Sequence, residues 1–148
     1  VVTIRLWSYQ LIPYLPRQQL LSQWRECVCI AKAIHDKGTP NHILVNKIMN
    51  YPISDFNNYC NIVLAEMLRR GYKISSQSIR KLEDYVDFTI DSKQKEYAPF
   101  KRWHTFRYLV QCFHNLQEKF DCGGISREEW DKVYEGCVKI TENRKDDV

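Results

Sequence analysis

The sequence predicts an all-α fold, a single bundle of about four to six helices. Three observations carry that expectation. Apolar residues recur at three- and four-residue spacing in several separate stretches, the period of helices that bury one face. Glycine, proline and serine divide those stretches where helices start and stop. No stretch alternates apolar and polar residues for long enough to read as a half-buried strand.

The first helix is expected to start at Pro16, because proline suits a first turn, and to stop at Gly38. Leu20, Trp24, Cys27, Val28, Ala31 and Ile34 form its apolar stripe, while Arg17, Gln18, Ser22, Arg25, Cys29 and Lys32 face the other way. Glu26 lies at the border, and its neighbours one turn away include the small Ser22 and Cys29, which leaves space around the carboxylate. Gly38-Thr-Pro-Asn41 reads as a loop, and Ile43 to Tyr51 as either a short helix or irregular chain. Ser54 is the expected N-cap of a second long helix, Asp55 to Arg70, striped by Phe56, Cys60, Val63 and Met67 and widened by Tyr59 and Leu64. Arg69 and Arg70 suit its negative end and Gly71 its left-handed cap.

Ser76 or Ser78 opens a shorter helix carrying Ile79, Leu82 and Val86, and the polar interval Asp87 to Pro99 is the best candidate for a mobile loop. A further helix is expected from Trp103 to Phe120, where Phe106, Leu109, Phe113, Leu116 and Phe120 repeat as in a deeply packed helix. Cys122-Gly-Gly-Ile breaks it. Ser126-Arg-Glu-Glu129 is a capping box for a last helix with Trp130, Val133, Tyr134 and Cys137. One domain over residues 1–140 with a frayed tail, 141–148, is the expected organisation.

The chain of 148 residues is long enough to bury a real core, and 44% hydrophobic with 27% charged residues is a globular balance. No apolar run approaches the ~20 residues that cross a bilayer, so no membrane role is expected. Val1 to Trp7 lacks a signal-peptide core, which makes the cytoplasm the default location. The net charge of +4 is compatible with a polyanionic partner but does not by itself imply one. Six cysteines at irregular spacing read as reduced structural thiols. The close pair Cys27 and Cys29 diverges by about 200° on a helix and makes a poor metal site. No phosphate-cradling glycine loop, H-E-x-x-H, G-x-S-x-G or C-x-x-C motif is present.

Two constellations remain. His104 stands beside Trp103 at a helix start, next to Lys101 and Arg102, within reach of a phosphate or a base; the plainer reading is a partly exposed imidazole. Arg25-Glu26, judged by spacing alone, is a solvated surface pair.

Family resemblance separates the readings of Glu26. Leu11 to Glu26, LIPYLPRQQLLSQWRE, resembles the N-terminal helix region of the pyrimidine-dimer DNA glycosylases, the endonuclease V type of phages and bacteria, which ends in the same Arg-Glu pair. Ile62 to Ile74, IVLAEMLRRGYKI, is similar to that family's later helix, and the two matches together cover roughly residues 5 to 80. His104 to Ser126, HTFRYLVQCFHNLQEKFDCGGIS, resembles a less characterised bacterial branch.

The resemblance implies a bifunctional glycosylase and abasic-site lyase for damaged duplex DNA, acting as a monomer with no metal or organic cofactor. Its nucleophile would be the N-terminal α-amine, here on Val1, attacking C1′ to form a Schiff base. An α-amine has a pKa near 8 against about 10.4 for lysine, so more of it is neutral at pH 7. Glu26 would stabilise the cationic sugar and handle protons. Arg5, Arg17, Arg25, Lys101, Arg102 and His104 would contact the DNA. Two features depart from the family pattern: Cys29 stands where the family has a further helix arginine, and an ungapped alignment sets the family's nucleophile opposite Arg5. A non-catalytic nucleic-acid-binding protein on the same fold is therefore the alternative, and a protein-interaction module the third.

Overall fold

The computed structural model of the chain describes residues 5–91 and 98–144. Its helices are α1 (Arg17–Lys37), α2 (Ile53–Arg69), α3 (Ser76–Val86), α4 (Phe106–Asp121) and α5 (Arg127–Glu142), with short 3-10 helices at Tyr9–Tyr14 and Asn46–Asn50. The fold is all-α, with no strand among the described residues.

α1 forms where its stripe and end signals place it. Pro16 is extended at the N-cap, and Gly38 takes the left-handed conformation, φ 74°, that ends the helix. Leu20, Trp24, Cys27, Ile30 and Ala31 are buried, and α1 packs against α2 and α3. α2 buries Phe56, Tyr59, Cys60, Val63, Leu64 and Met67. It starts at Ile53, ahead of Ser54, because extended Pro52 provides the N-cap backbone without a side-chain cap. The cap of α3 is Ser75, whose hydroxyl accepts from the Ser78 N–H.

The start of α4 differs more. Phe100 and Arg102 both have positive φ, 60° and 72°, so the chain there is a turn. The helix opens at Phe106, with the Thr105 hydroxyl accepting from the Tyr108 N–H. The turn drives Phe100, Trp103 and His104 into the core, where they meet Tyr59 and Tyr108 at ring-centroid distances of 4.7–5.9 Å. The expected loop after Asp87 is anchored at its start: Phe88 is buried edge-on to Trp24, and Asn61 bonds both the Thr89 carbonyl and the Asp91 N–H. Residues 92–97 of that interval lie outside the described residues.

Ser126 caps α5 by accepting from the Glu129 N–H at 3.2 Å. Glu129 also accepts the Arg17 N–H at 2.8 Å, so one carboxylate serves the starts of two helices. α5 continues through Glu142, with the Thr141 hydroxyl bonded to the Cys137 carbonyl. The 3-10 helix Tyr9–Tyr14 packs on both α2 and α5, which is possible because α5 presents Gly136 there. A Cβ on Gly136 would stand 2.3 Å from the Tyr14 ring.

Replacing Gly136 by alanine should lower stability by about 1–3 kcal/mol through overpacking, despite alanine's better helix propensity. Urea unfolding checks it; an unchanged or raised midpoint would show that Tyr14 yields freely.

Candidate active site

The site is built on a short extended segment, Arg5 to Trp7, laid across α1. Buried backbone requires partners, and three helices supply them with side chains. Gln23 on α1, fully buried, accepts the Trp7 N–H at 2.8 Å and donates to the Arg5 carbonyl at 2.8 Å. Tyr59 on α2 donates to the Trp7 carbonyl at 2.6 Å, and its oxygen stands 3.0 Å from Gln23 Oε1. Tyr108 on α4 donates to the Leu6 carbonyl. The Arg5 N–H points at Glu26 Oε2, 3.3 Å away, and Gln23 Nε2 reaches the same oxygen at 3.3 Å.

Glu26 thus sits where the N-terminal segment meets α1. It lines a polar cavity of about 180 Å³ with Arg5, Trp7, Gln18, Gln19, Ser22, Asn115 and Lys119. Half-burial raises the Glu26 pKa above its ordinary 4.5, opposed by the Arg5 N–H and by the charges of Arg25, Arg5 and Lys119. A carboxyl held in that balance can both accept and release a proton closer to neutrality than an exposed glutamate.

The expected site residues separate into groups. Arg5 and Arg25 join Glu26: the Arg5 guanidinium lies 5.4 Å over the Trp7 ring, and exposed Arg25 donates to the Ser22 hydroxyl at 3.1 Å. Arg17, at the start of α1, lies 5.0 Å over the Tyr72 ring and does not line the cavity. Lys101 and Arg102 are exposed on the turn before α4, also outside it.

His104 is not the partly exposed imidazole of the plainer reading, and its burial leaves little of the ring open to a phosphate or a base: it is 6% exposed in the aromatic core. Burial lowers its pKa to about 3, so the ring is neutral. Its Nδ1 accepts the Tyr9 N–H at 3.2 Å, which places the ring proton on Nε2. Its contact is with the backbone that leaves the Arg5–Trp7 segment. Val1 lies outside the described residues.

Sequence reasoning passed over Gln23, Asn115 and Lys119. Gln23 left a trace, a polar residue at helical spacing between Leu20 and Cys27. Asn115 and Lys119 left none, since polar residues one turn apart are ordinary on any helix. Among the described residues no three potential metal ligands gather.

The sequence profile of the pyrimidine dimer DNA glycosylases matches residues 4–80, just over half of the chain. The chain belongs to that family. No curated protein and no solved structure matches it. Family membership makes DNA repair by glycosylase chemistry the general role and DNA the class of substrate. The matched stretch holds Arg5, Gln23 and Glu26; Asn115 and Lys119 belong to α4, beyond it.

Two outcomes follow from this geometry. Gln23→Leu should cost about 2–3 kcal/mol, because it leaves the Trp7 N–H and Arg5 carbonyl buried without partners; an unchanged denaturation midpoint would contradict it. Glu26→Gln should raise the melting temperature at pH 7. With its folded pKa raised, Glu26 destabilises the fold increasingly as pH rises from 4.5 through the folded value. The advantage of glutamine should therefore vanish below pH 4.5, and a lower melting temperature at pH 7 would reverse the assignment.

Proposed function

We propose that this protein is a bifunctional glycosylase and abasic-site lyase that acts as a monomer on damaged duplex DNA, pyrimidine dimers or related lesions. The observation that carries the proposal is the half-buried Glu26 carboxylate bonded to the Arg5 N–H, where the N-terminal segment meets α1. Arg5 and Glu26 both fall inside the family-matched stretch, residues 4–80, which supports the reading.

In this reading the neutral amine attacks C1′ of the damaged nucleotide. The C1′–N glycosidic bond breaks and the base leaves with a proton; the C1′–O4′ bond then breaks, O4′ takes a proton from water, and the sugar is left as an open-chain iminium. Glu26 faces the developing cation and stabilises it. It then accepts the C2′ proton, the C3′–O bond breaks, and water releases the amine by hydrolysing the imine. Arg5 and Arg25 hold backbone phosphate near the cavity, with the target nucleotide turned out of the stack. Arg17, Lys101 and Arg102 contribute outlying contacts to the duplex. No metal or organic cofactor takes part. The proposed setting is the cytoplasm, whose reducing conditions suit the chain's six free cysteines.

Incubation with ultraviolet-irradiated and abasic duplexes in sodium borohydride should trap a covalent adduct that peptide mapping assigns to Val1. Glu26→Gln should reduce strand cleavage by at least about 100-fold. If neither duplex forms an adduct, while binding remains salt-dependent and survives Glu26→Gln, the non-catalytic alternative holds instead.

A further inference from the structure

Two side chains of the Glu26 cavity come from α4. Asn115 and Lys119 are four residues apart, so they project from one face a turn apart, and both line the cavity with Glu26. They are the two lining residues that lie outside the family-matched stretch, residues 4–80. Lys119 belongs to the last turn of α4, and its carbonyl accepts the Gly124 N–H at 2.8 Å, which fixes the backbone from which it extends.

The three cations around Glu26 are differently engaged. Arg5 is stacked on Trp7, and Arg25 is bonded to Ser22. Lys119 makes no ion pair among the described residues. Among the described residues that line the cavity, Arg5 and Lys119 stand against the single carboxylate of Glu26, so its lining is net positive even with Glu26 ionised. A cavity of that charge beside a base suits a sugar with an attached phosphate, and Lys119 on α4 is a cation of that lining with no ion pair among the described residues.

We propose that Lys119 holds the phosphate on the 3′ side of the reacting sugar and neutralises the charge it gains as the strand breaks. This assignment rests on the imine reading above and concerns its second half. Once the iminium exists, the C2′ proton passes to Glu26 and its electron pair forms the C2′–C3′ double bond. The C3′–O bond breaks, and its electron pair leaves on the phosphate oxygen as a monoester. That oxygen gains its charge in the elimination and not in base release, so an ammonium beside it favours the elimination transition state selectively. Asn115, one turn earlier, offers an amide donor to the same phosphate.

The test compares the 148-residue chain with its Lys119→Gln and Lys119→Arg variants on an abasic duplex. Adduct formation is read with borohydride and strand cleavage without it. Lys119→Gln should slow cleavage by about 10- to 100-fold, several times more than it slows adduct formation, and Lys119→Arg should restore most of the difference. An equal decline in both readouts, or none, overturns the leaving-group role. No adduct with the parent chain overturns the imine reading and this assignment together. Lys119 is exposed, so its variants should keep the parent's thermal melt, which confirms that folded protein is compared.

Discussion

The site depends on how the backbone of Arg5 to Trp7 is satisfied. An extended segment with no neighbouring strand has no ladder to complete its hydrogen bonds, and burial makes each missing bond costly. Here side chains replace the ladder: Gln23 from α1, Tyr59 from α2, Tyr108 from α4 and Glu26 itself. Gln23 is the centre of this arrangement because it serves an N–H and a carbonyl of the segment and also touches the Glu26 carboxylate. The segment's partners come from three helices, so it is fixed only when the bundle has assembled.

Polar groups in this region are placed by opposing terms. Glu26 is buried enough for its proton affinity to rise and surrounded by enough positive charge to limit the rise. That balance destabilises the fold at neutral pH and makes the carboxyl more useful for proton transfer, a common division between stability and activity. His104 shows the opposite outcome: burial among aromatic rings, with no compensating charge, leaves it neutral at any ordinary pH. Its acceptance of the Tyr9 N–H extends the side-chain support of the N-terminal segment by one more contact.

Helix positions were legible where end signals and period agreed, as in α1 between Pro16 and Gly38. They were less so where conformation depended on tertiary contacts. The turn at Phe100 to Arg102 requires positive φ from residues that rarely adopt it, so local preference extended α4 backward to Trp103. The same turn reverses the expected exposure of His104. At the site, Glu26 was legible through the Arg-Glu pair and its resemblance to a family, and Arg5 through its place before the first helix. Gln23 appeared as a polar interruption whose purpose only the folded segment explains. Lys119 depends on α4 passing α1 at the level of Glu26, a distance across the fold that no local pattern encodes.

The most direct measurement is a crystal structure of the borohydride-reduced complex with an abasic duplex. The reduced C1′ should be bonded to the chain's α-amine inside the Glu26 cavity, with the Arg5–Trp7 segment still held by Gln23. A sugar joined elsewhere on the protein, or an Arg5–Trp7 segment released from Gln23 to reach the DNA, would contradict this expectation.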